Sequence, residues 1–117
     1  MLDTSTAFPP QGLNSFWVSL SLQEAADTIS RYIDKHSMCT RLAATHRRSA
    51  EGREYILLCY VGDFPFDADR HATLTVTLDN FDGATFVQTI DYGCGLIVNK
   101  DLTKQAEKSL QEYIITK

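Results

Sequence analysis

The sequence contains little cysteine and no long apolar run. Its three cysteines, Cys39, Cys59 and Cys94, are odd in number and far apart, so they offer no disulfide framework. This usage favours a reducing compartment. Nowhere do about 18 apolar residues follow one another, as a membrane-spanning helix requires, and the N-terminus lacks the basic region and apolar run of a signal peptide. We therefore expect a cytoplasmic protein with no membrane partner.

Positive charge is also scarce. The chain has 11 lysines and arginines against 15 acidic residues, a formal net charge of −4, which opposes attraction to nucleic-acid phosphates. It contains no phosphate-cradling glycine loop and no nucleophile motif. His46 and His71 have no histidine or cysteine two or four residues away that would suggest a metal site, and the aspartates within residues 63–69 lack the spacing of a calcium loop. We expect no nucleic-acid partner, no metal and no cofactor, and we favour a non-catalytic protein.

The composition is that of a globular domain. With 44% hydrophobic and 22% charged residues in a chain of 117, a core can form without disulfides or metals. Residues 1–14, which include Pro9, Pro10 and Gly12, are predicted to be an irregular leader. Residues 15–117 are predicted to form a single α+β domain.

Two segments have the periodicity of amphipathic helices. Ser21 and Glu24 have capping-box spacing, which predicts that a helix begins there. The helix continues through an apolar stripe formed by Leu22, Ala25, Ala26, Ile29, Ile33 and His36. In the C-terminal segment DLTKQAEKSLQEYIITK, a second stripe predicts another helix and consists of Leu102, Ala106, Leu110, Tyr113 and Ile114.

The remaining segments have strand-like patterns. NSFWVSL precedes the first helix, and four β-prone runs follow it: MCTRLAATHRR, EYILLCYV, HATLTVTL and ATFVQTIDY. Short connections between these four runs indicate antiparallel neighbours, since parallel strands need long crossovers. The predicted fold is α+β with the order β-α-β-β-β-β-α, one antiparallel sheet and two helices packed on one face.

This order resembles the TATA-binding-protein-like fold and a reduced form of the helix-grip fold of pollen-allergen-like lipid binders. At sequence level, SLSLQEAADTI, RHATLTVTLDNFDG and DYGCG look like a family of small, uncharacterised bacterial domains of the same layout. The resemblance covers residues 15–117. It implies a bacterial α+β domain and no known activity, and fold likeness alone carries little functional weight.

Strand alternation divides the predicted sheet into a core face and an outer face. Pairing Leu42 with Cys59 and extending the register places on the core face Met38, Leu42, Ala44, Tyr55, Leu57, Cys59, Val61, Ala72, Leu74, Val76, Leu78, Ala84, Phe86, Ile90 and Tyr92. The outer face then carries threonines and also the large apolar residues Trp17, Ile56, Leu58, Tyr60 and Val87. Because a solvated face normally reads polar, we interpret this patch as an interface for a homodimer or another protein. The alternative is scattered surface residues without a function, or a register that is partly wrong.

Two further hypotheses stay open. A helix-grip arrangement would hold a small apolar ligand in a cavity under the terminal helix, lined by Phe86, Ile90, Tyr92, Leu110 and Ile114. Cys94 would be the reactive thiol of an enzyme if the following helix favoured its thiolate. The favoured interpretation of Cys94 is structural, because Gly93 and Gly95 let the chain leave the last strand.

Overall fold

The computed structural model describes residues 12–36, 40–63, 71–94 and 101–116. Its elements in chain order are β1 (Gly12–Val18), α1 (Leu22–His36), β2 (Thr40–Ala50), β3 (Arg53–Asp63), β4 (His71–Asp79), β5 (Thr85–Cys94), α2 (Asp101–Leu110), a 3-10 turn (Gln111–Tyr113) and β6 (Ile114–Ile115). The predicted α+β class and element order are confirmed, with β6 as an addition. The predicted leader lies mostly outside the described residues, and its last part, from Gly12, belongs to β1.

All strands form one antiparallel sheet in the order β2-β3-β4-β5-β1-β6. Strands β2 to β5 are a meander, as their short connections predict. β1 adds to the sheet beside β5, where Phe16 lies opposite Val87. β6 pairs with the far side of β1 through two residue pairs. The first and last strands that the structure describes, β1 and β6, are therefore neighbours at one edge of the sheet.

Helix α1 begins where the capping box predicts. The Glu24 backbone N–H donates to Ser21 Oγ, and the Ser21 backbone N–H donates to Glu24 Oε1, both at 3.2 Å. The two bonds satisfy donors that the first helical turn leaves open. The buried side of α1 consists of Leu22, Ala25, Ala26, Ile29 and Ile33, and it packs on the sheet with Ala106 and Leu110 of α2.

Two turns stand together at one end of the sheet. Glu51 and Gly52, between β2 and β3, have φ values of 55° and 79°, the left-handed backbone of a two-residue hairpin turn. Asn80, which follows β4, links this turn to the next. Its Oδ1 accepts from the Glu54 N–H at 2.7 Å, and its Nδ2 donates to the Gly52 carbonyl at 3.4 Å.

The helices cover a different set of side chains from the predicted one. Cross-strand pairs place Leu58 opposite Val76 and Tyr60 opposite Leu74, and all four side chains are buried. The predicted core face is right for β4, namely Leu74, Val76 and Leu78, and wrong for β3 and β5. Both strands are shifted by one residue from the predicted pairing, and such a shift moves every side chain to the other face.

The edge strand β2 contributes little to the core. All residues from Arg41 to Ala50 are exposed. The register shifts between Leu42 and Ala44, so that an extra residue interrupts the pairing with β3. The predicted burial of Leu42 is wrong, since its side chain is 41% exposed. An Arg47 guanidinium N–H donates to Gln23 Oε1 and links β2 to α1.

Candidate functional site: the outer face of the sheet

The face of β1–β5 that carries no helix is called the outer face below. Of the predicted interface residues, only Trp17 lies on it. The other four are buried against the helices, with exposed fractions of 5% or less: Ile56, Leu58, Tyr60 and Val87. Their predicted placement is wrong because β3 and β5 alternate in the opposite phase.

Large apolar side chains nevertheless occupy the outer face. They are partly exposed rather than buried, and they come from three strands: Trp17, Tyr55, Leu57, Val61, Phe86 and Ile90. The free thiol Cys59 lies among them and is also partly exposed. Of these residues, the sequence prediction placed only Trp17 on the outer face and assigned the others to the core. The signal was present, since EYILLCYV is apolar in both alternation phases.

One row of residues crosses the outer face from edge to edge near the two hairpin turns. In register order it consists of Arg48, Tyr55, Asp79, Phe86 and Trp17. The Trp17 and Phe86 ring centroids are 4.7 Å apart at an interplanar angle of 49°, within the usual range for an aromatic pair. The row therefore has a cation at one end and an aromatic pair at the other.

The middle of the outer face is polar. β4 presents Thr73, Thr75 and Thr77, and Gln88 of β5 lies opposite Thr77. These residues are short or uncharged, so close approach of a second surface would not bury a charge along β4 between Thr73 and Thr77.

A cavity of about 570 Å³ opens at the hairpin end of the outer face. Its lining consists of Arg48, Ser49, Ala50, Glu51, Arg53, Tyr55 and Phe81. Phe81 is 50% exposed. The lining therefore combines two arginines with one glutamate and two aromatic residues.

The residues predicted to line a cavity under α2 do not come together. Phe86 and Ile90 lie on the outer face, Leu110 is fully buried, and Ile114 is 39% exposed in β6. The side chain of Tyr92 lies outside the described part of the structure. The predicted lining is therefore wrong for Phe86, Ile90 and Ile114, because the phase of β5 puts its two residues on the other side and the chain leaves its helix before Ile114.

Cys94 is the last residue of β5. The register places it opposite His71 of β4, which in turn lies opposite Asp63 of β3. The pairing brings cysteine, histidine and aspartate into one row at the end of the sheet away from the hairpin turns. Gly93 belongs to β5, whereas Gly95 lies outside the described residues.

The helix side of the sheet contains a buried hydroxyl pair. The Tyr60 and Ser30 hydroxyl oxygens are 2.6 Å apart, and Tyr60 is fully buried. Burial raises the pKa of Tyr60 above its usual value; the hydrogen bond with Ser30 lowers it, and the Asp34 carboxylate raises it. Tyr60 is therefore a protonated core residue at neutral pH.

Other polar side chains are buried near α2. Thr89 and Asp91 of β5 are fully buried, and Thr103 of α2 is 9% exposed. The Thr89 hydroxyl donates to the Asn14 carbonyl at 3.5 Å. Sequence reasoning singled out none of these residues, because threonines and aspartates at strand ends are common surface residues.

Neither a metal-binding cluster nor a membrane-spanning helix occurs among the described residues. No group of three or more histidine, cysteine, aspartate or glutamate side chains in them has the arrangement of a metal site. In the same part of the chain, neither α1 nor α2 has the length and apolar character that spanning a membrane requires.

No protein-family model matches this chain, and a search of curated proteins gave no match. The similarity to TATA-binding-protein-like and helix-grip folds therefore stays a prediction. The α+β architecture is established by the sheet and helices themselves.

Proposed function

We propose that this protein is non-catalytic and acts through association, as a homodimer joined through the outer face. The observation that carries the proposal is the set of partly exposed apolar side chains on β1, β3 and β5. A solvated face of an antiparallel sheet is normally polar. Large apolar side chains exposed in this number on one face are typical of a protein contact.

The row across the outer face supports two-fold pairing. In aligned sheet packing, an axis parallel to the strands and above β4 would set β2 of one protomer over β1 of the other. Arg48 of one protomer would then face the ring of Trp17 of its partner, a favourable cation–π arrangement. The same axis sets the two copies of Asp79 over each other, a repulsion that the Arg48 and Trp17 contacts on either side must outweigh. An axis perpendicular to the strands would instead set β2 of one protomer over β2 of the other, and both copies of that strand are basic.

The size of the face also fits a dimer. Five strands spaced about 4.8 Å apart and about 25 Å long give a projected area of roughly 600 Å² per protomer. Side-chain relief makes the accessible area larger than this projection. A standard stable interface buries about 800 Å² per partner, so the outer face has the required extent.

The proposal is tested by Leu57→Asp, which puts a charge among the partly exposed apolar side chains of β3. Wild type should elute as a dimer on a sizing column with light scattering, and Leu57→Asp as a folded monomer. Thr116→Asp adds the same charge at an exposed position that follows β6, outside β1–β5, and should stay dimeric. A monomeric wild type, or a dimer that survives Leu57→Asp, would refute the proposal. Leu58 is unsuitable for this test because it lies in the core.

We also propose a bacterial, cytoplasmic protein with a TATA-binding-protein-like or reduced helix-grip fold. The position of α1 between β1 and the four-stranded meander supports the fold. The partly exposed free thiol of Cys59 fits a reducing compartment.

The register of Cys94 favours a second candidate, a thiol site. The backbone register sets Cys94 opposite His71, and a nearby histidine is one of the surroundings in which cysteines are reactive. Iodoacetamide labelling at neutral pH, followed peptide by peptide, measures the labelling rate of each thiol, with Cys59 as the internal control. We expect Cys94 to label faster than Cys59 and to label more slowly in His71→Gln. Equal rates for Cys94 and Cys59 would eliminate this candidate.

A further inference from the structure

The outer edge of β2 is long, and no other strand of the described residues pairs with it. β2 is the terminal strand of the sheet and has 11 residues, about twice the usual strand length. Its exposed residues run without interruption from Arg41 to Ala50. No described strand lies on its far side, so a row of backbone N–H and C=O groups faces outwards. Such an edge is a template for a further strand.

The charge of this strand has one sign. Between Thr40 and Ala50 the chain carries Arg41, Arg47, Arg48 and His46 but no aspartate or glutamate, although the whole chain has a net charge of −4. Arg47 hydrogen-bonds a neutral amide, that of Gln23, so this contact does not cancel its charge. The basic residues lie on both sides of the strand, with Arg47 towards the helices and Arg48 on the outer face.

We propose that the β2 edge binds an extended acidic peptide segment by strand addition. The backbone row supplies the hydrogen bonds, as in other complexes in which a peptide extends a sheet. Acidic residues at alternate peptide positions would all lie on one face of the extended sheet, beside Arg48 or beside Arg47 according to the register. Leu42, which is 41% exposed, offers an apolar contact near the start of the strand.

The same features disfavour pairing of β2 with a second copy of itself. Two β2 edges side by side would bring basic residues together without any acid to compensate them, and like charges on neighbouring strands destabilise a sheet. The irregularity between Leu42 and Ala44 further restricts regular self-pairing, as bulges do at natural sheet edges. Charge therefore selects an acidic strand over an identical one.

The test uses a fluorescein-labelled peptide of about ten residues, matched to β2 in length, with alternating glutamate and valine. Fluorescence anisotropy should show saturable binding to the full chain. Arg47→Glu combined with Arg48→Glu should weaken it at least about tenfold. Lys104→Glu combined with Lys108→Glu makes the same charge change at exposed positions of α2 and should leave affinity unchanged. Thermal melting of each variant checks that it is folded.

Two further peptides separate strand addition from charge attraction. The same peptide with N-methyl groups on alternate amides keeps its charge but cannot complete the hydrogen-bond ladder, and it should bind at least about tenfold more weakly. Equal binding of the methylated peptide, or equal weakening in the α2 variant, would overturn the proposal. A lysine-valine peptide should not bind.

Binding should persist in Leu57→Asp, which separates this proposal from dimerisation through the outer face. If reversing the charges of Arg47 and Arg48 leaves peptide affinity unchanged, the proposal fails. A change in solution mass measured without peptide does not count for or against it, because Arg48 also belongs to the proposed dimer contact.

Discussion

The most informative prediction concerns two neighbouring leucines on opposite faces of β3. Leu58 is 5% exposed and belongs to the core cluster beneath the helices, where it lies opposite Val76. Leu57 is partly exposed on the outer face and lies opposite Thr77. Substituting each by alanine removes the same atoms from two different environments.

The losses in free energy of unfolding caused by Leu58→Ala and Leu57→Ala should differ several-fold. Leu58→Ala loses both the transfer free energy of the buried side chain and the contacts around a closed cavity, about 2.7–5 kcal/mol in all. Leu57→Ala leaves no closed cavity and loses only part of the transfer term, about 1 kcal/mol or less. A domain is typically stable by about 5–15 kcal/mol, so the loss in Leu58→Ala is a large part of the total. It should lower the melting temperature by on the order of 10–20 °C.

Urea unfolding followed by far-UV circular dichroism and by Trp17 fluorescence measures both free energies. The measurements are repeated over a range of protein concentrations, because loss of a dimer would add a concentration-dependent term to Leu57→Ala. Leu42→Ala, at a position 41% exposed on the edge strand, is the control and should cost least. If Leu57→Ala costs more than Leu58→Ala in the monomer, the two faces of β3 are exchanged and the reasoning above is refuted.

Three other predictions follow from single contacts. The pKa of Tyr60 is raised in the folded chain, so the unfolded chain loses this proton at a lower pH than the folded chain does. The contribution of Tyr60 to stability should therefore be fully present below the ordinary tyrosine pKa of about 10 and be lost as pH rises through the folded value. Tyr60→Phe should remove that decrease in urea midpoints at alkaline pH, and an unchanged slope would contradict it. Ser21→Ala breaks the capping box with Glu24 and should cost about 1 kcal/mol, while Ser21→Asp should restore most of it. Glu51→Asn suits the left-handed backbone at that turn position and should raise stability by up to about 1 kcal/mol; a lower melting temperature would argue against that turn.

The helices and strands could be predicted because their signals are local. The Ser21 and Glu24 pair forms both bonds of its capping box, and each of the apolar positions predicted for α1 from Leu22 to Ile33 is buried. These features depend on residues three or four apart in the chain. The meander followed from connection lengths, which are also local.

The choice of face could not be predicted, since it depends on register. Leu57 and Leu58 are adjacent residues of the same type, and β3 has apolar side chains on both of its alternating faces. The alternation pattern therefore does not identify which face of β3 lies in the core. The two-residue turn at Glu51 and Gly52 determines how β2 meets β3, and glutamate is not a residue that indicates a left-handed backbone. The irregularity after Leu42 then shifts part of β2 by one further residue.

The error in register changes which residues form the predicted interface, but it changes the association hypothesis itself much less. Because β3 carries Leu57 in one phase and Leu58 in the other, either register leaves a large apolar side chain on the face without helices. The same holds for β5, with Phe86 in one phase and Val87 in the other, and Trp17 is on the outer face in both cases. Strands β1, β3 and β5 carry more large apolar side chains than the two helices can cover on one face. Some of these side chains therefore lie on the outer face in any register that keeps both helices on the opposite face.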